Sequence, residues 1–599
     1  MTDTDTVSLN SADSINSTQL PQHQVNALQN ADSRPSSGDE EKNVAVTRTK
    51  SNKVPLKDKR GILGQLVITP EYEDARDCSP MVKLIIVAII GFAAITGPMG
   101  SSIMLPALDD ITTDLNTSIS IVNVAVGVYL LALGIFPLWW SAISERNGRR
   151  SIYLVSFTLF FAFSIGTALA PNISGLIILR VFQGGCSASV QAVGAGTISD
   201  LYEPKERGRA MGWYYLGPLM GPFLAPILGG VVGQVWGWRA TQWLLVIFSG
   251  CNVILILFFL PETLRRTDNL AALKTLIIKE DLESVDEEIP DEVLSRIASK
   301  ISSTGGALHD RENDVILDPV LPSLSRYTTN KSTYSKKVAQ EALDDEIRKT
   351  VEENPTKNDL NHIKTLLYDV IIRPMHSLVL LLYPPVVLVI SYSSICFAVI
   401  YFFNMSITYE YSREPYNFKQ IIVGLLYIPN SITYVAASII GGRWTDHLLK
   451  KHAMAHNGEL APESRIGWNV VTAVVLFPPA CLIFGWTIDY GVFWFVPLIG
   501  TAIFGFASML LIGATVTYLV DTLPGKGATG VALNNLIRQI LAAIATFVVE
   551  PALKGIGPGI LFSILMGITT LASVVLIYLK RHGDYYRENY DLTKYYEKL

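Results

Sequence analysis

Along this chain, polar stretches enclose two blocks of long apolar runs. Each run reaches about 20 residues, enough to cross the hydrocarbon core of a bilayer as a helix. They fall at 83–107, 120–142, 151–170, 174–198, 209–232 and 239–260, and then at 377–403, 418–440, 466–487, 491–519, 528–550 and 558–579. The pattern predicts an all-α membrane protein with twelve transmembrane helices in two sets of six. Residues 1–80 are rich in Ser, Asn, Asp and Gln and predict a disordered tail. The gap 264–374 is Ser-, Lys- and acid-rich, with KEDLESVDEEIPDE among its stretches, and is too long for an ordinary connection. It reads as a tether between the halves, or as a segment regulated by phosphorylation. The organisation is thus a tail over 1–80, a bundle over 81–263, a loop over 264–374, a bundle over 375–580 and a tail over 581–599.

Polar residues inside the apolar runs carry the chemistry. The fourth run reads LIILRVFQGG and places Arg180 near mid-depth. A lone charge there costs about 2.5 to 3.5 kcal/mol on insertion scales, so it must face a polar cavity or a partner. Gln183 lies one turn on, on a similar face. In the eleventh run, Asn534 and Arg538 are four apart on one face, beside Asn535. These residues are candidates for a transport pathway; the plainer reading of Arg180 is a strut between helices. An aromatic wall of Tyr129, Tyr214, Tyr215, Tyr392, Tyr401, Phe402, Tyr427 and Tyr434 is a weaker candidate, since rings can equally pack against helices or lipid.

Charge sets the expected orientation. Short loops on one side hold Arg146, Arg149, Arg150, Lys205, Arg207, Arg209, Lys450, Lys451, Lys580 and Arg581, while the loops between runs on the other side hold only Arg413 and Lys554. The basic side is expected to be cytoplasmic, with both termini and the central loop. Asn-x-Ser sequons at Asn116, Asn172 and Asn404 then fall outside, close to the membrane. Only 17% of residues are charged and 49% are hydrophobic, with a formal net charge of -5, which does not favour a nucleic-acid partner. The five cysteines are scattered and make no metal or disulfide pattern, so neither a metal nor another cofactor is expected. The tail carries no apolar secretion signal. No GxxxxGK[ST] nucleotide loop or nucleophile constellation is present, which disfavours a primary pump and an enzyme.

An internal repeat supports two related halves. SAISERNGRRSIY follows the second run and GGRWTDHLLKK the eighth, each placing an acid, Glu145 or Asp446, shortly before basic residues. The fifth run reads GPLMGPFLAPILGG, with Gly217, Pro218, Gly221, Pro222, Pro226, Gly229 and Gly230. Small residues three or four apart let another backbone approach, and the prolines bend the helix. Pro261-Glu262-Thr263 follows the sixth run. With Ser141 to Arg150, Arg180-Val-Phe-Gln183-Gly184 and the fifth-run motif in this order, the chain resembles the major facilitator superfamily. More narrowly it resembles the fungal twelve-span drug:proton antiporters, in the quinidine-resistance branch related to polyamine and dityrosine exporters. Ser141 and Glu145 stand where the family usually has Gly and Asp, and Ala225 where the fifth-run motif has Gly.

The resemblance implies the major facilitator fold, two pseudo-symmetric six-helix halves, and a proton-coupled exporter of small organic compounds in the plasma membrane. Its partners would be a small-molecule substrate, protons and lipid, with the chain acting as a monomer. Glu145, Arg146, Arg149, Arg150, Asp200 and Asp446 would form a conformational gate, and the fifth run a hinge-like packing surface. Proton coupling needs a titratable group, and the candidates are Glu550, Asp521 and Asp200. Multidrug or polyamine efflux is the leading expectation. The alternatives are export of a dityrosine-like aromatic or organic-acid metabolite, a facilitator or importer, and a receptor that reports ligand through the loop.

Overall fold

The computed structural model describes residues 53–264 apart from 73 and 203, residues 373–455, 462–523 and 527–590, and residues 592 and 595. The central loop between 265 and 372 and the first 52 residues lie outside that set. Among the described residues, eleven helices are long and apolar enough to cross a membrane. They are α1 (Pro80–Asp114), α2 (Ile119–Ser144), α3 (Arg149–Ala168), α4 (Ile173–Leu201), α5 (Pro204–Trp236), α6 (Trp238–Phe259), α7 (Pro384–Tyr411), α8 (Gln420–Leu449), α9 (Trp468–Asp489), α10 (Phe495–Thr522) and the stretch Gly527–Asn589. That last stretch breaks at Gly557, whose φ of 75° is a left-handed conformation that glycine adopts without steric cost. Beyond it, Gly559 packs on Trp486 and Asp489 at the end of α9, and Gly583 on Glu463 before its start. The chain therefore turns back at Gly557, giving α11 before the break and α12 after it, and twelve crossings among the described residues.

Local chemistry explains the helix starts. Ser79 Oγ accepts the Val82 amide and Pro80 takes the first helical position of α1. Asn172 caps α4 by accepting the Gly175 amide at 2.8 Å. In the second half, the rings of Phe484, Phe504 and Phe562 surround Phe403 with centroids 4.3 to 4.9 Å away. Offset and tilted ring pairs of this kind add to the burial of their area.

Two expectations change. Residues Lys53–Ser79 belong to the fold and not to a disordered tail. Lys59 Nζ donates to Val67 O and Thr69 O, the Ile68 amide to Phe258 O, and Thr69 Oγ1 to Phe259 O. The segment is polar because its charged side chains bind backbone carbonyls, and composition alone does not show this. The seventh span also moves along the chain: 373–382 is 3₁₀ helix and α7 begins at Pro384. Asn404 then lies inside α7 and is 6% exposed, so it is no glycosylation acceptor.

Candidate functional site

Arg180 is fully buried inside the first half. Its Nη1 donates to Gly100 O at 2.9 Å and to Gln183 Oε1 at 3.0 Å, and Nη2 points at Met104 Sδ. The guanidinium lies 4.9 Å from the ring centre of Tyr129, whose hydroxyl donates to Gly97 O. Gln183 Nε2 donates to Ser164 Oγ. The cluster thus ties α4 to α1, α2 and α3, and no carboxylate is among these contacts.

Arg538 sits differently. It is half-buried on α11, 4.2 Å from the ring centre of Phe397 on α7, with Tyr401 of α7 and Tyr215 of α5 in electrostatic reach. Tyr215 belongs to the other half, so Arg538 faces the seam between the halves. Its Nε, Asn534 Oδ1 and Gln539 Oε1 have no hydrogen-bond partner. Buried polar atoms are ordinarily satisfied by protein or water, so these three are open to a further partner, as is Arg180 Nε. Of the aromatic candidates, Tyr215 and Tyr401 join this patch. Tyr129, Tyr214 and Tyr427 instead bond backbone carbonyls within their own halves.

The end of the molecule carrying the basic loops is built from two matching ion pairs. Arg149 Nε meets Asp200 Oδ2 at 3.1 Å, and Arg149 Nη1 donates to Ser144 Oγ at 2.6 Å. In the second half, Arg465 pairs with Asp521. Both pairs join the start of the third helix of a half to the end of its fourth, as the repeat requires. Arg465 stands in a polar loop and escaped the sequence reading; its partner 56 positions on is what reveals it. The side chains of Glu145, Arg146 and Asp446 lie outside the described residues.

Arg150 is fully buried beside these pairs. It donates to Ile62 O, Leu63 O, Ile256 O, Leu257 O and Leu260 O. Three of these are carbonyls at the end of α6, where a cation is favoured. Glu262 does the converse at the start of α3, accepting the amides of Arg149 and Arg150 at 2.8 and 3.3 Å. Gly148 opens that turn with φ 93°, and a Cβ there would strike the Glu262 carboxylate. Just outside the membrane helices, burial pushes the Glu71 carboxyl up from its ordinary range, with Arg60 at 2.8 Å pulling the other way.

At the far end the halves close on each other. Arg413 pairs with Asp109 at 3.3 Å, Gln420 donates to Asp110, and the Ile421 amide donates to Gln234 Oε1 at 3.0 Å. Ser120 of α2 donates to Glu550 of α11, which also pairs with Lys554. The fifth-run glycines explain how α5 fits: a Cβ on Gly217, Gly221 or Gly229 would strike α1, and one on Gly230 would lie 2.5 Å from Gln420 O of α8. Pro218, Pro222 and Pro226 all stand within the helix. Toward the basic end, Gly212 of α5 and Gly442 of α8 meet nothing within 4 Å.

These features coincide with known sequences. The family model of the Major Facilitator Superfamily matches residues 90–546, more than half of the chain. "MFS antiporter QDR3" of Candida albicans is 60% identical, over 92% of this chain and 85% of that protein. "Quinidine resistance protein 3" of Saccharomyces cerevisiae is 45% identical, over 95% and 93% respectively. "Dityrosine transporter 1" of the same yeast is 27% identical, over 83% and 79%. Twelve crossings among the described residues, in two repeated halves joined at the far end and with Arg538 at their seam, are the build of a membrane transporter, and the chain belongs to the major facilitator superfamily.

Proposed function

We propose that this protein is a proton-driven exporter of small organic compounds, including drugs of the kind named for its quinidine-resistance relatives. It works as a monomer in the plasma membrane with its termini in the cytoplasm, as the Lys/Arg bias supports. The observation that carries the reading is the closure of the far end across the two halves. The far end is held across the halves by Asp109–Arg413, Asp110–Gln420 and Ser120–Glu550. At the basic end, Arg149–Asp200 joins two helices of the first half and Arg465–Asp521 joins two helices of the second. Such an arrangement is one pose of alternating access, with the pathway facing the cytoplasm.

In this reading Arg538, Asn534 and Gln539 form the polar side of the substrate wall, and Phe397, Tyr401 and Tyr215 the aromatic side. Arg180 and Gln183 stand behind it and hold α4 in place against α1 and α3. At the basic end Glu145, Arg146 and Asp446 gate the pathway as the halves rock, while Arg149–Asp200 and Arg465–Asp521 move with their own halves. Asp200, Asp521 and Glu550 are the carboxylates open to the coupling role.

The test is competition binding to the purified full chain in nanodiscs, with quinidine, polyamines and aromatic acids as probes. Arg538→Gln is expected to weaken binding of any transported probe about tenfold or more, since a hydrogen bond to a charged group is worth roughly 1.5 to 3 kcal/mol. Arg180→Gln should lower the melting temperature instead. Unchanged binding in Arg538→Gln together with loss in a stably folded Arg180→Gln would reverse the two assignments.

A further inference from the structure

The far-end seam holds a carboxylate that the substrate wall does not use. The Glu550 side chain is 3% exposed, although Lys554 one turn on is 60% exposed. A crevice of about 10 Å³, the room of a single water, opens beside Glu550 and is also lined by Asn123, Thr408, Tyr409 and Asp109. Asn123 is 2% exposed and its Oδ1 has no hydrogen-bond partner. A buried acceptor of this kind, lining a one-water crevice beside a carboxylate, fits a proton's entry path.

We propose that Glu550 takes the proton from the far side and that protonation releases the α2–α11 latch. The inference rests on the proton-driven reading above and names the group that serves it. An ionised carboxylate accepts from Ser120 across the seam and from Lys554 on its own helix. A protonated one loses the attraction to Lys554 and keeps at most the weaker neutral bond to Ser120.

The charged and titratable groups around it are Lys554 on α11, Arg413 in the turn after α7, Tyr409 and Glu410 on α7, and Asp109 on α1. From α2 come Ser120 and Asn123, neither of which titrates. Arg413 stacks on Tyr409 at 3.5 Å while pairing with Asp109, so it stays committed to the seam. The closed seam therefore supports the ionised form through Ser120 and Lys554. Opening removes the Ser120 contact and hands the carboxylate to water. Proton uptake and opening are linked by that difference.

The experiment is a distance measurement on the full chain in nanodiscs. Spin labels go on Ser118→Cys and Tyr490→Cys, at the far ends of the two halves, with the exposed Cys251 replaced by serine. In the parent, the long-distance population should rise several-fold between about pH 6 and about pH 3.5, the range in which a carboxylate handed to water takes up its proton, up to tenfold for a linkage of one unit. Glu550→Gln should show the long-distance population at both pH values. Ser120→Ala should raise that population at both while keeping the pH response. A Glu550→Gln chain that keeps the parent's pH response, or a Ser120→Ala chain with unchanged distances, overturns the proposal. The distances need no substrate and no gradient, so a failed transport assay and a failed latch are separate results.

Discussion

Gly230 offers the sharpest test of how the far end closes. A Cβ at this position would lie 2.5 Å from Gln420 O and 3.3 Å from Gly424 Cα, and Gly424 in turn faces Pro226 O. Both neighbours are backbone, so no side chain can swing aside. Gly230→Ala must push α5 and α8 apart, and overpacking of this kind costs about 1 to 3 kcal/mol. The cost falls on the closed far end alone, because the two helices part when that end opens. A penalty of that size shifts the balance roughly 5- to 150-fold toward the open far end. Spin labels at the far ends of α5 and α8 should read the shift as a longer mean separation, and transport should fall because the closed pose is scarce. Gly212→Ala, on the same helix with nothing within 4 Å, should change neither quantity. A Gly230→Ala chain with the parent's distances and rate would show that the α5–α8 crossing does not close the far end.

Arg150→Ala should leave five backbone carbonyls without their donor and lower stability by about 3 to 5 kcal/mol, read as a clear fall in melting temperature; a change of less than about 1 kcal/mol would refute the assigned network. For the pair Arg465 and Asp521, a double-mutant cycle of Arg465→Met and Asp521→Asn should give a coupling of about 1 to 3 kcal/mol, and additive losses would mean the pair does not act as a unit. Glu71 gives a pH prediction with a definite sign. Its folded carboxyl titrates above the ordinary value, so folding favours the protonated form, and stability is gained below the ordinary range and lost as pH rises through the folded value. Protease resistance of the 53–79 segment should therefore increase on acidification across that window, and Glu71→Gln should remove the dependence. A pH-independent cleavage rate in the parent would contradict it.

The membrane helices were legible because crossing a bilayer demands long apolar runs, and nothing else in the chain mimics them. The boundary of α7 was not, since 373–382 is apolar enough to continue the run while its backbone is 3₁₀. The depth of Arg180 and its neighbour Gln183 could be read from the sequence, but its other partners could not. They are a carbonyl of Gly100 and the thioether of Met104, neither of which leaves a mark in a hydropathy pattern. Arg538 gave the same sequence signal as Arg180, yet one is enclosed by a single half and the other faces the seam; only packing separates them. Arg465 was hidden because a basic residue in a polar loop is ordinary until its acid is seen. The ordered segment 53–79 was hidden for a related reason. Lys59, Arg60 and Glu71 look like a solvated tail, while in the fold they bind carbonyls and one another.

The repeat offers a physical reason for the two-state behaviour expected of this chain. Each half fastens its own third and fourth helices at the basic end with an arginine–aspartate pair. Those pairs fasten helices within each half. The far-end contacts join the halves without stiffening either. Motion is then concentrated at the seam, where Arg538 and its aromatic neighbours sit.

The measurement that bears most directly on the central claim is transport by the reconstituted full chain. Liposomes would be loaded with a labelled quinidine-like compound, polyamine or aromatic acid, and a proton gradient imposed in each direction. The account predicts that substrate moves against the inflow of protons, that movement stops when the gradient is collapsed, and that Arg538→Gln abolishes it. Movement that ignores the gradient, or substrate and protons travelling in the same direction, would contradict it.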